Sequence, residues 1–169
     1  MFALIFGLSF LANAQDVQKD QPKGYQFTDI KRLPATSVKD QARAGTCWSW
    51  SGISFFESEM IRMGKEPIDL SAMYIVRHAY SDKATKFVRL HGSMNFAVGG
   101  AFCDVMHVIK NYGIVPMDVY MGLNYGEPNH AFGEIDDVLA GYINAVIKNS
   151  NKKLSTAWKK GFDGILDAY

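Results

Sequence analysis

Five stretches of the chain carry apolar residues in helix-like patterns. Between Cys47 and Met63 these are Trp50, Ile53, Phe56, Met60 and Met63, with Ser49, Ser51, Gly52 and Ser54 filling much of the remaining surface. So many small residues let neighbours approach from several sides, which predicts a central, largely buried helix stopped by Gly64. Pro67 to Ser71 resets the chain, and Ser71 is placed to cap a second helix carrying Met73, Tyr74, Val76, Arg77 and Tyr80. A third run, through Val105, Val108 and Ile109, follows Gly99-Gly100 and closes at Gly113, with Pro116 beyond. Ile135, Val138, Leu139, Tyr142, Ile143, Val146 and Ile147 mark a fourth helix. After a polar turn at Asn149 to Lys153, Ser155 is placed to cap a last helix with an apolar face of Trp158, Phe162, Ile165 and Leu166. No strand-rich segment, repeat or low-complexity tract interrupts this helical pattern.

The N-terminal stretch reads differently. Phe2 to Leu11 is an apolar run, and Ala12-Asn13-Ala14 follows it as a small-x-small site before Gln15. That is the form of a secretory signal peptide over 1–14, although no Lys or Arg precedes the run. It is too short for a stable membrane span, which takes about 20 apolar residues. Residues 15–37 are expected to be a leader or extended arm: Asp16 to Lys23 is polar and unpatterned, and Tyr25 to Pro34 mixes Tyr25, Phe27, Ile30 and Leu33 with charges. Residues 38–169 then form the helical body. The 169 residues suit one domain with a sizeable core, and a formal charge of +1 offers no reason to expect a nucleic-acid partner.

The chemistry concentrates in Gln41 to Trp50, QARAGTCWSW. Cys47 stands at the head of the first helical run, behind Thr46 as a prospective N-cap and Gly45 as the residue allowing a sharp turn. Unpaired N–H groups and the dipole of a first helical turn favour a thiolate over a thiol, which suits a nucleophile. Gln41, six residues earlier, can place a side-chain N–H beside the backbone N–H of Cys47 to form an oxyanion hole. Taken alone, a lone cysteine is better read as a buried core residue.

In register, Val38-Lys39-Asp40-Gln41 and Gly45-Thr46-Cys47-Trp48 resemble the active-site segment of papain-like cysteine peptidases. Leu70-Ser71 before a helix also recurs in that family. The Gly-Gly pair before a helix lines the family's cleft and hydrogen-bonds the substrate backbone, which puts Gly99 and Gly100 in a substrate-binding role. Ala44 stands where many of these enzymes have a disulfide cysteine, and Thr46 replaces the usual serine or alanine. The missing cysteine, together with Asn111-Tyr112-Gly113-Ile114-Val115-Pro116, resembles the bleomycin hydrolase (aminopeptidase C) branch.

The resemblance implies an α+β papain-like fold for the complete protein. This chain would be the mainly α-helical N-terminal half, built around the cysteine helix. It implies peptide substrates, no cofactor, an acyl-enzyme on Cys47, aminopeptidase specificity and, for the branch, closed ring oligomers. The family's histidine and asparagine lie about 130–150 residues beyond the cysteine, past Tyr169, so the chain is expected to be a fragment. His78, His91, His107 and His130 sit in no such motif, and His78 and His91 read as surface or hydrogen-bonded histidines. Cys103 and His107 have a possible metal-ligand spacing, but no further cluster completes a site. A Cys47–Cys103 disulfide is conceivable in an exported protein but would block the nucleophile, so both thiols are expected free, with Cys103 buried. The competing hypothesis is a helical peptide-binding module that has kept the cleft and lost the chemistry.

Overall fold

The computed structural model describes Gly24, Tyr25 and residues 27–169; the signal-peptide reading of 1–14 and the polar stretch 16–23 lie outside the described residues. By contacts the chain divides into Met1–Arg32 and Leu33–Tyr169. In the first unit, Tyr25, Phe27 and Ile30 are each at least 90% exposed, so the apolar side chains of this stretch gain nothing from burial.

The second unit is built from five helices: α1 (Cys47–Arg62), α2 (Ala72–Arg89), α3 (Phe102–Tyr112), α4 (Gly133–Ile147) and α5 (Ala157–Ala168). The described residues are mainly helical, with two isolated bridges, Arg43 to Ala131 and Leu70 to Pro116. No helix among them is long and apolar enough to cross a membrane.

The central helix is α2 rather than α1. It packs against all four of the others and buries ten residues, among them Met73, Ile75, Val76, Ala79, Tyr80, Ala84 and Phe87. Its start is as expected: the Ser71 hydroxyl accepts the Tyr74 N–H at 2.9 Å, satisfying an otherwise unpaired donor of the first turn. On α1 the buried face is Trp48, Ser49, Gly52, Ile53 and Glu57, while Phe56 and Met60 are half-buried and Met63 is 67% exposed. The apolar spacing therefore picked a face turned partly aside. Closeness, not bulk, selects the inner face: a Cβ on Gly52 would stand 2.7 Å from Val105 Cγ2 on α3, and Ser49 Oγ donates to Ala72 O at 2.8 Å.

Buried Leu139 and Ile143 of α4 meet Phe162 and Leu166 of α5 in the same core as α2. Ser155 Oγ accepts the Ala157 N–H at 3.2 Å, although Thr156 occupies the N-cap position. Gly64 and Gly113 adopt φ of +77° and +85° just past α1 and α3, the left-handed region that suits glycine.

Candidate active site

Two loops and the first turn of α1 make the site. Cys47 is the first residue of α1 and is exposed. Gly45 takes φ +64° to turn the chain into the helix. Thr46 holds the N-cap position, but its side chain caps nothing; its hydroxyl, fully buried, instead accepts Trp50 Nε1–H at 3.2 Å. The first turn is thus tied to itself by a side-chain bond one turn along, and the Ser49 N–H donates to Thr46 O at 2.9 Å.

The loop before α1 is held largely through its backbone. Ala44 N–H donates to Gln41 O at 3.2 Å, Arg43 N–H to His130 O at 2.9 Å, and Phe132 N–H to Arg43 O at 3.3 Å. Ala42 takes φ +50° within this turn, and its N–H donates to Asp40 Oδ1 at 2.7 Å. Gln41 is half-buried, and its Oε1 is enclosed without a hydrogen-bond partner among the described residues.

At the root of this loop lies a charged group the pattern of apolar residues does not reveal. Glu57, on the buried face of α1, is 1% exposed. Its carboxylate accepts the Leu70 N–H at 2.7 Å, Lys39 Nζ–H at 2.6 Å and the Thr36 hydroxyl. Lys39 also meets Asp69 at 2.9 Å. Partial burial works against charge on Lys39, but its hydrogen bonds to Glu57 and Asp69 outweigh it and hold the ammonium pKa above its ordinary value. Four polar groups thus lash residues 36–39 and the start of α2 to the cysteine helix.

The second loop carries Gly99 and Gly100, and the structure separates the two. A Cβ on Gly100 would lie 2.5 Å from Trp48 Cε2, so the indole next to Cys47 requires glycine there. A Cβ on Gly99 would meet nothing within 4 Å. The loop is held by side chains: Trp48 Nε1–H donates to Val98 O at 2.9 Å, and Lys83 Nζ donates to Gly99 O and, at 3.4 Å, to Ala97 O. Asp104 accepts the Ala101 N–H at 2.8 Å and so fixes the start of α3. The two loops meet where Val98 packs over Gly45, with a Cβ there falling 3.2 Å from Val98 Cγ2.

A model of the papain family cysteine proteases matches residues 22–157. The chain belongs to that family. No curated protein matches the chain. In this papain-family domain Cys47, Gln41, Gly99 and Gly100 are spread over α1 and the two loops just described.

The four histidines of the papain-family chain lie in four different surroundings. His78 stacks on Tyr112 with 4.3 Å between ring centroids, and burial, helped by the nearby Arg77 charge, lowers its pKa. His107 meets Asp82 at 3.1 Å. His91 lies in the turn after α2 with φ +50°. His130 is 5% exposed against the Trp50 ring; burial lowers its pKa, and a hydrogen bond to the Gly122 backbone only partly opposes this. Both cysteines are free, but Cys103 is exposed where burial was expected. The inner face of α3 is Val105 and Val108, and Cys103 falls on the opposite side. Among the described residues no cluster of three His, Cys, Asp or Glu side chains has a metal-binding arrangement.

Proposed function

We propose that the complete protein is an exported cysteine peptidase whose nucleophile is Cys47. The Cys47 sulfur adds to the scissile carbonyl carbon, and the Gln41 side-chain N–H and Cys47 backbone N–H hold the resulting oxyanion. Collapse breaks the C–N bond, the amine leaves with a proton from a histidine outside residues 1–169, and water hydrolyses the thioester. Gly99 and Gly100 line the path of the peptide backbone. The observation that carries this reading is an exposed cysteine at the first position of α1 in a papain-family chain. The open space at Gly99 supports it, because no packing among the described residues calls for a glycine there.

Ala44 and the Asn111–Pro116 sequence favour the bleomycin hydrolase branch, hence aminopeptidase action and a homo-oligomer of the complete protein. The Phe2–Leu11 run and the Ala12-Asn13-Ala14 site favour export with a mature chain starting near Gln15, which N-terminal sequencing of the mature protein checks. The functional test is turnover of aminoacyl-coumarins by the complete protein. Activity lost in Cys47→Ala and weak on N-acylated substrates supports the aminopeptidase. Peptide binding without turnover supports the peptide-binding module instead. The 169-residue chain alone is expected to turn over none of these substrates.

A further inference from the structure

Lys83 occupies an unusual position for a lysine. It projects from α2, half-buried, with its Nζ 5.4 Å from the centre of the Trp48 ring and 5.5 Å from that of Tyr80. Burial lowers its ammonium pKa; the Asp104 carboxylate opposes this and Lys86 adds to it. No carboxylate is hydrogen-bonded to Lys83 Nζ among the described residues. Its Nζ donates to the carbonyls of Ala97 and Gly99. An ammonium bonded to carbonyls and resting on two aromatic faces is compensated by dipoles and ring quadrupoles, and it restrains whatever carries those carbonyls.

What carries them is the loop that ends in Gly99-Gly100. Trp48 Nε1 holds the same loop from the cysteine helix at Val98, and the Trp48 ring covers Gly100. Neither cysteine forms a disulfide, so no disulfide ties this loop down. Without Lys83, the loop keeps one side-chain bond to Val98 and the Asp104 bond at its far end.

We propose that Lys83 is a positioning residue for substrate: it clamps the Gly99 carbonyl so that the backbone at Gly99-Gly100 is presented in one geometry to a bound peptide. The inference rests on the peptidase reading above. Lys83 touches no reacting atom. Its removal acts on binding, not on the chemical step.

The test compares Lys83→Met and Lys83→Gln with wild type in the complete protein, reading peptide kinetics, thermal unfolding and amide hydrogen exchange. The expected result is a rise in KM of about five- to tenfold with kcat within about twofold. Exchange should quicken at Val98 to Asp104 while the amides of α2 keep their protection. Two variants guard against one that fails to fold. The proposal is overturned if KM and local exchange both match wild type. It is equally overturned if only one of them changes, or if exchange quickens throughout the domain with a fallen Tm, the mark of a purely structural lysine. If wild type itself turns over no peptide and equals Cys47→Ser, the peptidase reading fails first and takes the inference with it.

Discussion

The two loops flanking the cysteine do similar work by different means. The Gln41–Thr46 loop is fixed through main-chain bonds to residues 130–132 and, at its root, by the buried Glu57 carboxylate. The Ala97–Ala101 loop has its carbonyls held by two side chains, Trp48 and Lys83. A backbone-held loop tolerates most side-chain changes and is vulnerable to proline. A side-chain-held loop is vulnerable to single substitutions at residues distant in sequence. On the proposed reading, the loop carrying Gln41 would be insensitive to surface variation and the loop carrying Gly99 and Gly100 would be adjustable.

The sharpest way to break the first loop is at its root. Glu57→Leu leaves Lys39, Thr36 and the Leu70 N–H without their shared acceptor, and should cost about 3 kcal/mol in urea unfolding, the range for breaking a buried pair. Next, Gly100→Ala forces the Trp48 ring or the second loop to move and should cost about 2 kcal/mol, with a changed tryptophan emission spectrum. Arg43 separates backbone from side chain. Arg43→Pro removes the N–H given to His130 O and restrains Ala42, at a cost of about 1.5 kcal/mol, whereas Arg43→Ala should stay within about 0.5 kcal/mol. Equal effects of the two would contradict a backbone-held loop.

A pH effect is expected at Asp136, which lines a depression with Phe96, Ala97 and Val98. Burial, reinforced weakly by Asp137 and opposed by the Tyr80 hydroxyl, raises its pKa from 3.8 to about 6. The folded chain then binds this proton more tightly than the unfolded chain. The contribution of this group to stability therefore declines as pH rises from about 4 to about 6. Asp136→Asn should flatten that part of the Tm–pH curve. Gly99→Ala should change stability least, by less than about 0.5 kcal/mol, while raising KM for peptides.

Much of this was legible in the sequence, for identifiable reasons. Phe162 and Leu166 on α5, and Ile135, Leu139 and Ile143 on α4, are large apolar residues at one period, and they are the ones buried. On α1 the period misled in part: it marks the buried Ile53, but the inner face also takes in Ser49, Gly52 and the Glu57 carboxylate, residues whose burial depends on how closely α2 and α3 approach. Glu57 gave no sign, since a lone glutamate on a helix is usually solvated and its partner Lys39 lies 18 residues away. Lys83 was hidden for the same reason. The motif around Cys47 was legible because its glycine, glutamine and cysteine answer to local backbone and chemical needs. The Gly99-Gly100 pair was recognised as a unit, but only packing against Trp48 separates a glycine the fold requires from one it leaves open.

The measurement that bears most directly on the account is covalent trapping in the complete, folded protein. Cys47 and Cys103 are both free and exposed, so simple accessibility does not distinguish them. A peptidyl chloromethyl ketone at limiting concentration, with the adduct mapped by mass spectrometry, should modify Cys47 alone, and excess substrate peptide should protect it. Equal modification of Cys47 and Cys103, unaffected by peptide, would contradict Cys47 as the nucleophile of a peptide-binding cleft.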